Sequence, residues 1–355
     1  MVIKKTENLE IGDTLSTPIV SPKSATLYPK NTVVTNDVKS ILYLNDISYV
    51  TVNDTNNNSD TDEFINTIKK EFDILNKRLI TGNSRKIEQQ IETIYDVSSY
   101  LLDSILDNKH LTENYFHFKI SDTYTYVHSL NVALTAMKTQ IQLNSNRDMV
   151  LKVGLGALLH DIGKFNINPS IVNKRAKLTK EEMDYMKTHV NRGHSIVSRL
   201  DIPFEAKEII LNHHEKLDGS GYPSRLNYKQ IPKYVRLVTI ADIYDALISE
   251  RSYKVGWDKI KAVETMEYDI PSKIDEELFY KFLEYNNFLE VDERIILSDD
   301  VEGKILKYNN KNPLKPIVMT EKGTLIDLSR NTNIKLKQQK YEIPQIINFN
   351  KTEVI

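Results

Sequence analysis

The sequence predicts a mainly α protein with a small β-containing unit at each end. Three observations predict it. Apolar residues recur at three- and four-residue steps from about residue 62 to about residue 290, the period of helices that bury one face. Before residue 53 and after about residue 292 the pattern changes to short β-branched runs broken by Gly, Pro, Asn and Asp. Between the first unit and the helices lies Asn53-Asp54-Thr55-Asn56-Asn57-Asn58-Ser59-Asp60, polar and low in complexity, which reads as a linker.

The elements follow in chain order. Thr32-Val33-Val34 and Ile47–Val52 are the strand candidates of the first unit, a small β or α/β domain. Ile87, Ile91, Ile94, Leu101 and Ile105, with Ser98 filling the gap, mark an amphipathic helix. Leu130, Leu134 and Met137 mark another around His128. Val153–Leu159 is an apolar helix ending on His160-Asp161, and Val235–Ala241 is a buried run ending on Asp242. Asp161-Ile162-Gly163, Asp201-Ile202-Pro203 and Asp218–Pro223 interrupt the helical pattern. Val301–Leu306 and Pro316–Met319 are strand candidates of a β appendage. No repeat of fixed period is present.

Composition narrows the function. A formal net charge of −2 over 355 residues gives no electrostatic case for a nucleic-acid polymer, so phosphate binding has to be local. The absence of cysteine removes disulfides, thiolate ligands and thiol nucleophiles, and is compatible with a reducing cytoplasm, the expected location. No apolar run approaches the roughly 20 residues of a membrane helix, and the first 15 residues lack a signal-peptide core. Membrane contact is not expected.

The histidines carry the strongest signal. Of 8, six fall between residues 128 and 214, two of them as His213-His214 and one in His160-Asp161. With Asp242 they can supply two neighbouring sites for divalent cations, since imidazole and carboxylate suit Fe, Mn, Co, Ni or Zn. Charged pairs placed at the ends of apolar helices need a partner, because burying them alone is costly. Any one of these residues alone is more often a core histidine, a cap or an ion-pair partner; their ordered combination shifts the balance. His110 and His117 lie outside the pattern, and His194 is assigned a structural role.

The ordered motifs are His128; His160-Asp161-Ile162-Gly163-Lys164; Leu178-Thr179 through Glu182 to His189; His213-His214-Glu215-Lys216-Leu217-Asp218-Gly219-Ser220-Gly221-Tyr222-Pro223; and Ala241–Leu247 followed by Arg251-Ser252-Tyr253-Lys254. Over about residues 120–255 the sequence resembles the HD-GYP family, a branch of the HD-domain phosphohydrolases. The resemblance implies an HD-type helical bundle over residues 119–291. Around it would lie an N-terminal domain and linker (1–60), connecting helices (61–118) and a C-terminal β extension (292–355). It further implies one metal held by His128, His160, Asp161 and Asp242, and a second held by His189, His213 and His214, with Asp161 bridging. A hydroxide between two such metals would attack phosphorus in line.

Several roles come with the resemblance. Lys164 would stabilise a phosphate oxygen or leaving group, and Arg251 and Lys254 would contact substrate phosphates. Tyr222 would face the nucleotide. Asp245, three residues after Asp242 on one helix face, would accept a proton or orient Lys164. The implied substrate is cyclic di-GMP, with Fe or Mn favoured as the two metals. Some family members carry Glu four residues before the first His, where it helps hold a third metal. Here that residue is Tyr124, a poor ligand at ordinary phenol pKa, so two metals and the linear product pGpG are expected. The alternatives are a non-catalytic cyclic dinucleotide sensor or scaffold, and a hydrolase of another cyclic dinucleotide such as cyclic GMP-AMP. The flanking units are candidates for homodimer or protein-partner contacts.

Overall fold

A computed structural model describes residues 2–6, 9–15, 19–20, 26–29, 32–44, 47, 49–52, 60–81, 84–106, 124–143, 145–174, 176–249, 257–286, 288–289, 291–309, 312–331 and 333–339. The chain divides into two compact units. The first comprises Met1–Gly256 with Asp269–Asn286, and the second Trp257–Tyr268 with Asn287–Ile355.

The first unit begins with an α/β segment. β1 (Val2–Lys5) pairs antiparallel with β4 (Tyr49–Val52), and β2 (Ile19–Val20) with β3 (Thr26–Tyr28). Helix α1 (Asn36–Leu44) lies between β3 and β4 in sequence. Leu15, Val34, Val38, Leu42, Val50 and Val52 form its buried core. Val33 is held by an isolated bridge to Thr14 and is not part of a strand.

Helices then take over. α2 (Asp60–Thr81) packs on α3 (Ser84–Leu106), which buries Ile87, Ile91, Ile94, Ser98 and Leu101 along one face, as the periodicity predicts. α4 (Tyr124–Gln142) and α5 (Arg147–Leu159) form the centre of the bundle. From Val153 to Leu159 every residue of α5 is buried, so this helix is core on all sides. Asn146 caps it by accepting a hydrogen bond from the Met149 N–H at 2.8 Å. α6 (Pro169–Val172) and α7 (Lys180–Lys187) follow, then α8 (His189–Val197), α9 (Phe204–Asn212), α10 (Lys233–Ile248) and, after the excursion into the second unit, the helix Glu276–Tyr285. Phe279, Phe282 and Leu283 of that last helix are buried, and Asn286 donates to Thr139 Oγ1 on α4 at 2.9 Å.

The second unit is a five-stranded antiparallel sheet with one helix. Its strands are β5 (Arg294–Leu297), β6 (Glu302–Lys307), β7 (Ile317–Thr320), β8 (Leu325–Asp327) and β9 (Leu336–Gln339), ordered β8-β7-β6-β5-β9. The helix Lys259–Glu267 packs on β9, so residues 257–268 group with this sheet and not with the bundle. Among the described residues, no helix is long and apolar enough to cross a membrane.

Candidate metal centre

The fold brings eight separate side chains to one largely buried place. α4 presents His128. α5 runs out at His160, its C-terminal cap, and Asp161 opens the following single-turn 3-10 helix, Ile162–Asn166. That turn lies against the start of α8, where His189 sits. The start of α8 is set in turn by a local device. Thr179 and Glu182 form a capping box at the head of α7, with the Thr179 N–H donating to Glu182 at 2.8 Å. Thr188 then ends α7 and begins α8. His213 caps α9, His214 follows it, and α10 contributes Asp242 and Asp245.

Asp161 stands between two groups of donors. Its Oδ2 is 3.3 Å from His160 Nε2 and 3.9 Å from His128 Nε2. Its Oδ1 is 3.4 Å from His189 Nε2 and 3.9 Å from His213 Nε2. Asp242 Oδ1 lies 3.1 Å from His128 Nε2 and 3.9 Å from His160 Nε2, while its Oδ2 is 3.8 Å from His214 Nδ1. The ligand atoms of Asp161, His189, His213 and His214 lie within 4.8 Å of one another, and so do those of His128, His160 and Asp242.

Backbone carbonyls set the tautomers. His160 Nδ1 is 2.7 Å from the Ala157 carbonyl, His189 Nδ1 is 2.9 Å from that of Met186, and His213 Nδ1 is 3.2 Å from those of Ile209 and Ile210. A carbonyl only accepts, so Nδ1 carries the proton in all three rings and Nε2 turns a lone pair toward Asp161. His160 Nε2 and Asp161 Oδ1 are buried with no hydrogen-bond partner, and His189 Nε2 is 3.4 Å from His213 Nε2. Buried lone pairs converging without donors fit divalent cations, which satisfy the site's residues as hydrogen bonds do not.

The electrostatics agree. Burial holds His213 well below the ordinary imidazole range, with His214, His160 and His189 adding to the effect; His189 and His214 are also lowered, chiefly by burial. These rings are therefore neutral donors at pH 7. Burial would raise the Asp161 carboxyl, but Lys164, His160 and His189 outweigh it and hold the group well below its usual range. Asp242 is lowered likewise, burial being outweighed by His128 and His214. His128 goes the other way. Burial opposes its charge, yet the hydrogen bonds it donates to Asp242 and Asp245 raise it to about 9.

Lys164 pairs with Asp161. Asp245 is placed differently from expectation. It lies behind His128, accepting from Nδ1 at 2.7 Å, from Asn131 Nδ2 at 2.9 Å and from Ser249 Oγ at 3.0 Å. No contact to Lys164 accompanies these bonds, so Asp245 orients His128 as a carboxylate–histidine pair does. Asn131 escaped the sequence reading. Its signal was available, a polar residue three positions after His128 on one helix face.

Tyr222 stacks on His214, ring centroids 4.8 Å apart and tilted by 32°, and the Lys187 ammonium lies 5.6 Å from its centroid. Burial, with Asp161 and Asp242 nearby, raises its hydroxyl pKa, so it remains a phenol. Arg251 and Lys254 lie outside the described residues, as do the side chain of Tyr124 and His110 and His117.

A buried helical core that gathers histidines and aspartates from six segments, around an HD pair closing its central helix, is the arrangement of an HD domain. Residues 113–278 match the HD domain family. The chain is 30% identical over 236 residues to the cyclic di-GMP phosphodiesterase PA4108 of Pseudomonas aeruginosa, covering 66% of this chain and 57% of that protein. It is 48% identical over 101 residues to the 3'3'-cGAMP-specific phosphodiesterase 2 of Vibrio cholerae, covering 28% of this chain and 19% of that one. Bd1817, a HDG"Y"P protein from Bdellovibrio bacteriovorus, shares the fold with a TM-score of 0.51 at 16% identity, over 81% of this chain and 98% of that one. The chain spans little more than half the length of the first relative and about a fifth of the second.

Proposed function

We propose that the protein is a metal-dependent phosphodiesterase that opens cyclic di-GMP, and that it holds two divalent cations, Fe or Mn, in the cytoplasm. The observation that carries this reading is Asp161, one carboxylate with an oxygen facing each donor group. His128, His160, Asp161 and Asp242 would hold one cation, and His189, His213 and His214 the other with Asp161. Bound there, such a pair supplies Lewis acidity at the phosphoryl group and an activated water. The protein's own side chains do the rest. Lys164 balances the charge that gathers on phosphate oxygens. Asp245 keeps the His128 ring aimed, and Tyr222 with Lys187 shapes the rim where a nucleotide enters. Arg251 and Lys254 are proposed as further phosphate contacts.

The reading is tested by metal analysis of protein purified without oxygen, with product analysis on cyclic di-GMP. Two metals per chain and pGpG are expected, Tyr124 standing where a third metal would need a carboxylate. Three metals with rapid release of GMP would overturn the two-metal reading, and no turnover with Mn or ferrous iron would favour a cyclic dinucleotide sensor. The likeness to a 3'3'-cGAMP-specific enzyme supports a second reading, hydrolysis of cyclic GMP-AMP. The two substrates compared side by side decide between them.

Metal binding should also release protons. With His128 raised to about 9, its Nε2 is protonated at pH 7, and a cation has to displace that proton. Affinity should therefore fall as pH drops below about 9. Calorimetry at pH 7 in buffers of different ionisation enthalpy should give about one proton released per chain loaded. No proton release would contradict this placement of His128.

A further inference from the structure

Glu215 directly follows the ligand pair His213-His214, yet it has no part in either donor group. It is 2% exposed. Both carboxylate oxygens are committed elsewhere: Oε1 accepts from the Ser224 N–H at 2.6 Å and Oε2 from the Leu226 N–H at 2.9 Å. The chain between Glu215 and Ser224 carries Tyr222. It is drawn tightly round the Glu215 side chain, because the Tyr222 N–H donates to the His214 carbonyl at 3.3 Å. A Cβ at Gly221 would lie 2.5 Å from Glu215 Cα and 2.4 Å from Lys216 N, so glycine is needed for this approach. Apolar packing would close a loop without burying a charge. A carboxylate gives two directional, charge-assisted bonds from a residue adjoining a ligand.

We propose that Glu215 is the positioning residue of the substrate-facing loop. It holds Tyr222 against His214, and so sets how tightly the cyclic dinucleotide binds, without acting on the bond that breaks. The proposal rests on the phosphodiesterase reading above.

The test uses the full-length, metal-loaded protein with Glu215→Gln and Glu215→Asp. Gln keeps the shape but sets an NH2 group against one amide donor; Asp keeps the charge but withdraws it by one methylene. For Glu215→Gln the KM for cyclic di-GMP should rise about tenfold, the effect of one buried donor left unpaired, with kcat and metal content within about twofold. Glu215→Asp should fall between it and the wild type. Amide exchange over residues 216–226 should quicken in both, with α4 and α10 unchanged. A fall in metal content and kcat at constant KM would overturn the proposal, as would unchanged exchange in the loop or unfolding of both variants. A wild type inert toward cyclic dinucleotides would sink the phosphodiesterase reading instead, and loop exchange would still decide the role of Glu215.

Discussion

Asp161→Asn is expected to lower turnover of cyclic di-GMP by on the order of 10³-fold and to remove most of the bound metal. The substitution keeps the shape of the side chain, so the effect isolates its charge. Asp161 offers one oxygen to the His128–His160 side and the other to the His189–His213 side. An amide replaces one of those oxygens with NH2, which donates where a cation has to be met. It also leaves Lys164 without the carboxylate it pairs with. Both donor groups are affected together. Initial rates with Mn, alongside elemental analysis of the purified variant, measure both effects. A variant that kept a tenth of its rate and its full metal complement would refute the bridging role.

The second large effect concerns a residue without a side chain. In Gly163→Ala, the new Cβ would lie 1.8 Å from the His189 carbonyl oxygen and 2.5 Å from the Gly193 amide nitrogen. Both neighbours are backbone, so no side chain can swing away, and the turn after α5 has to part from α8. A loss of about 3 kcal/mol or more is expected, since overpacking against rigid backbone is among the costly single changes. At about 2–4 °C per kcal/mol for a protein of this size, melting of the metal-free protein should drop by roughly 6–12 °C. The same movement draws His189 away from Asp161, so metal affinity should fall as well. Gly154→Ala provides the contrast. Its Cβ would meet the Met137 sulfur at 2.5 Å, the end of a flexible side chain. A melt of Gly163→Ala within about 1 °C of wild type would refute the close contact.

The two donor groups were legible in the sequence because clustered histidines and aspartates leave a strong trace there. His160-Asp161 ends an apolar helix and Asp242 ends an apolar run inside one, and charge in such a place demands a partner. The helical face of Ile87, Ile91, Ile94 and Leu101 was legible through its period alone. Other features were not, for physical reasons. Asp245 shares a helix face with Asp242, but a three-residue spacing does not say whether a carboxylate joins a donor group or lies behind one of its histidines; its bonds to His128 and Asn131, both from a distant helix, decide that. The helix Lys259–Glu267 reads in sequence like its neighbours, and only its packing on β9 assigns it to the sheet. Glu215 was part of a motif string, and its backbone partners nine and eleven residues on became visible only with the loop folded.

The bundle is not continuous along the chain: Glu276–Tyr285 returns to it after residues 257–268 have joined the other unit. This has a consequence for the order in which a newly made chain can mature. All seven proposed ligands have been synthesised by Asp242, but the buried phenylalanines Phe279 and Phe282 come later, after the helix that belongs with the still unmade sheet. A nascent chain halted between the two carries every ligand on an unfinished bundle. Chain order therefore favours completion of this donor set after synthesis has passed residue 286, and a fragment meant to keep it has to extend beyond that residue.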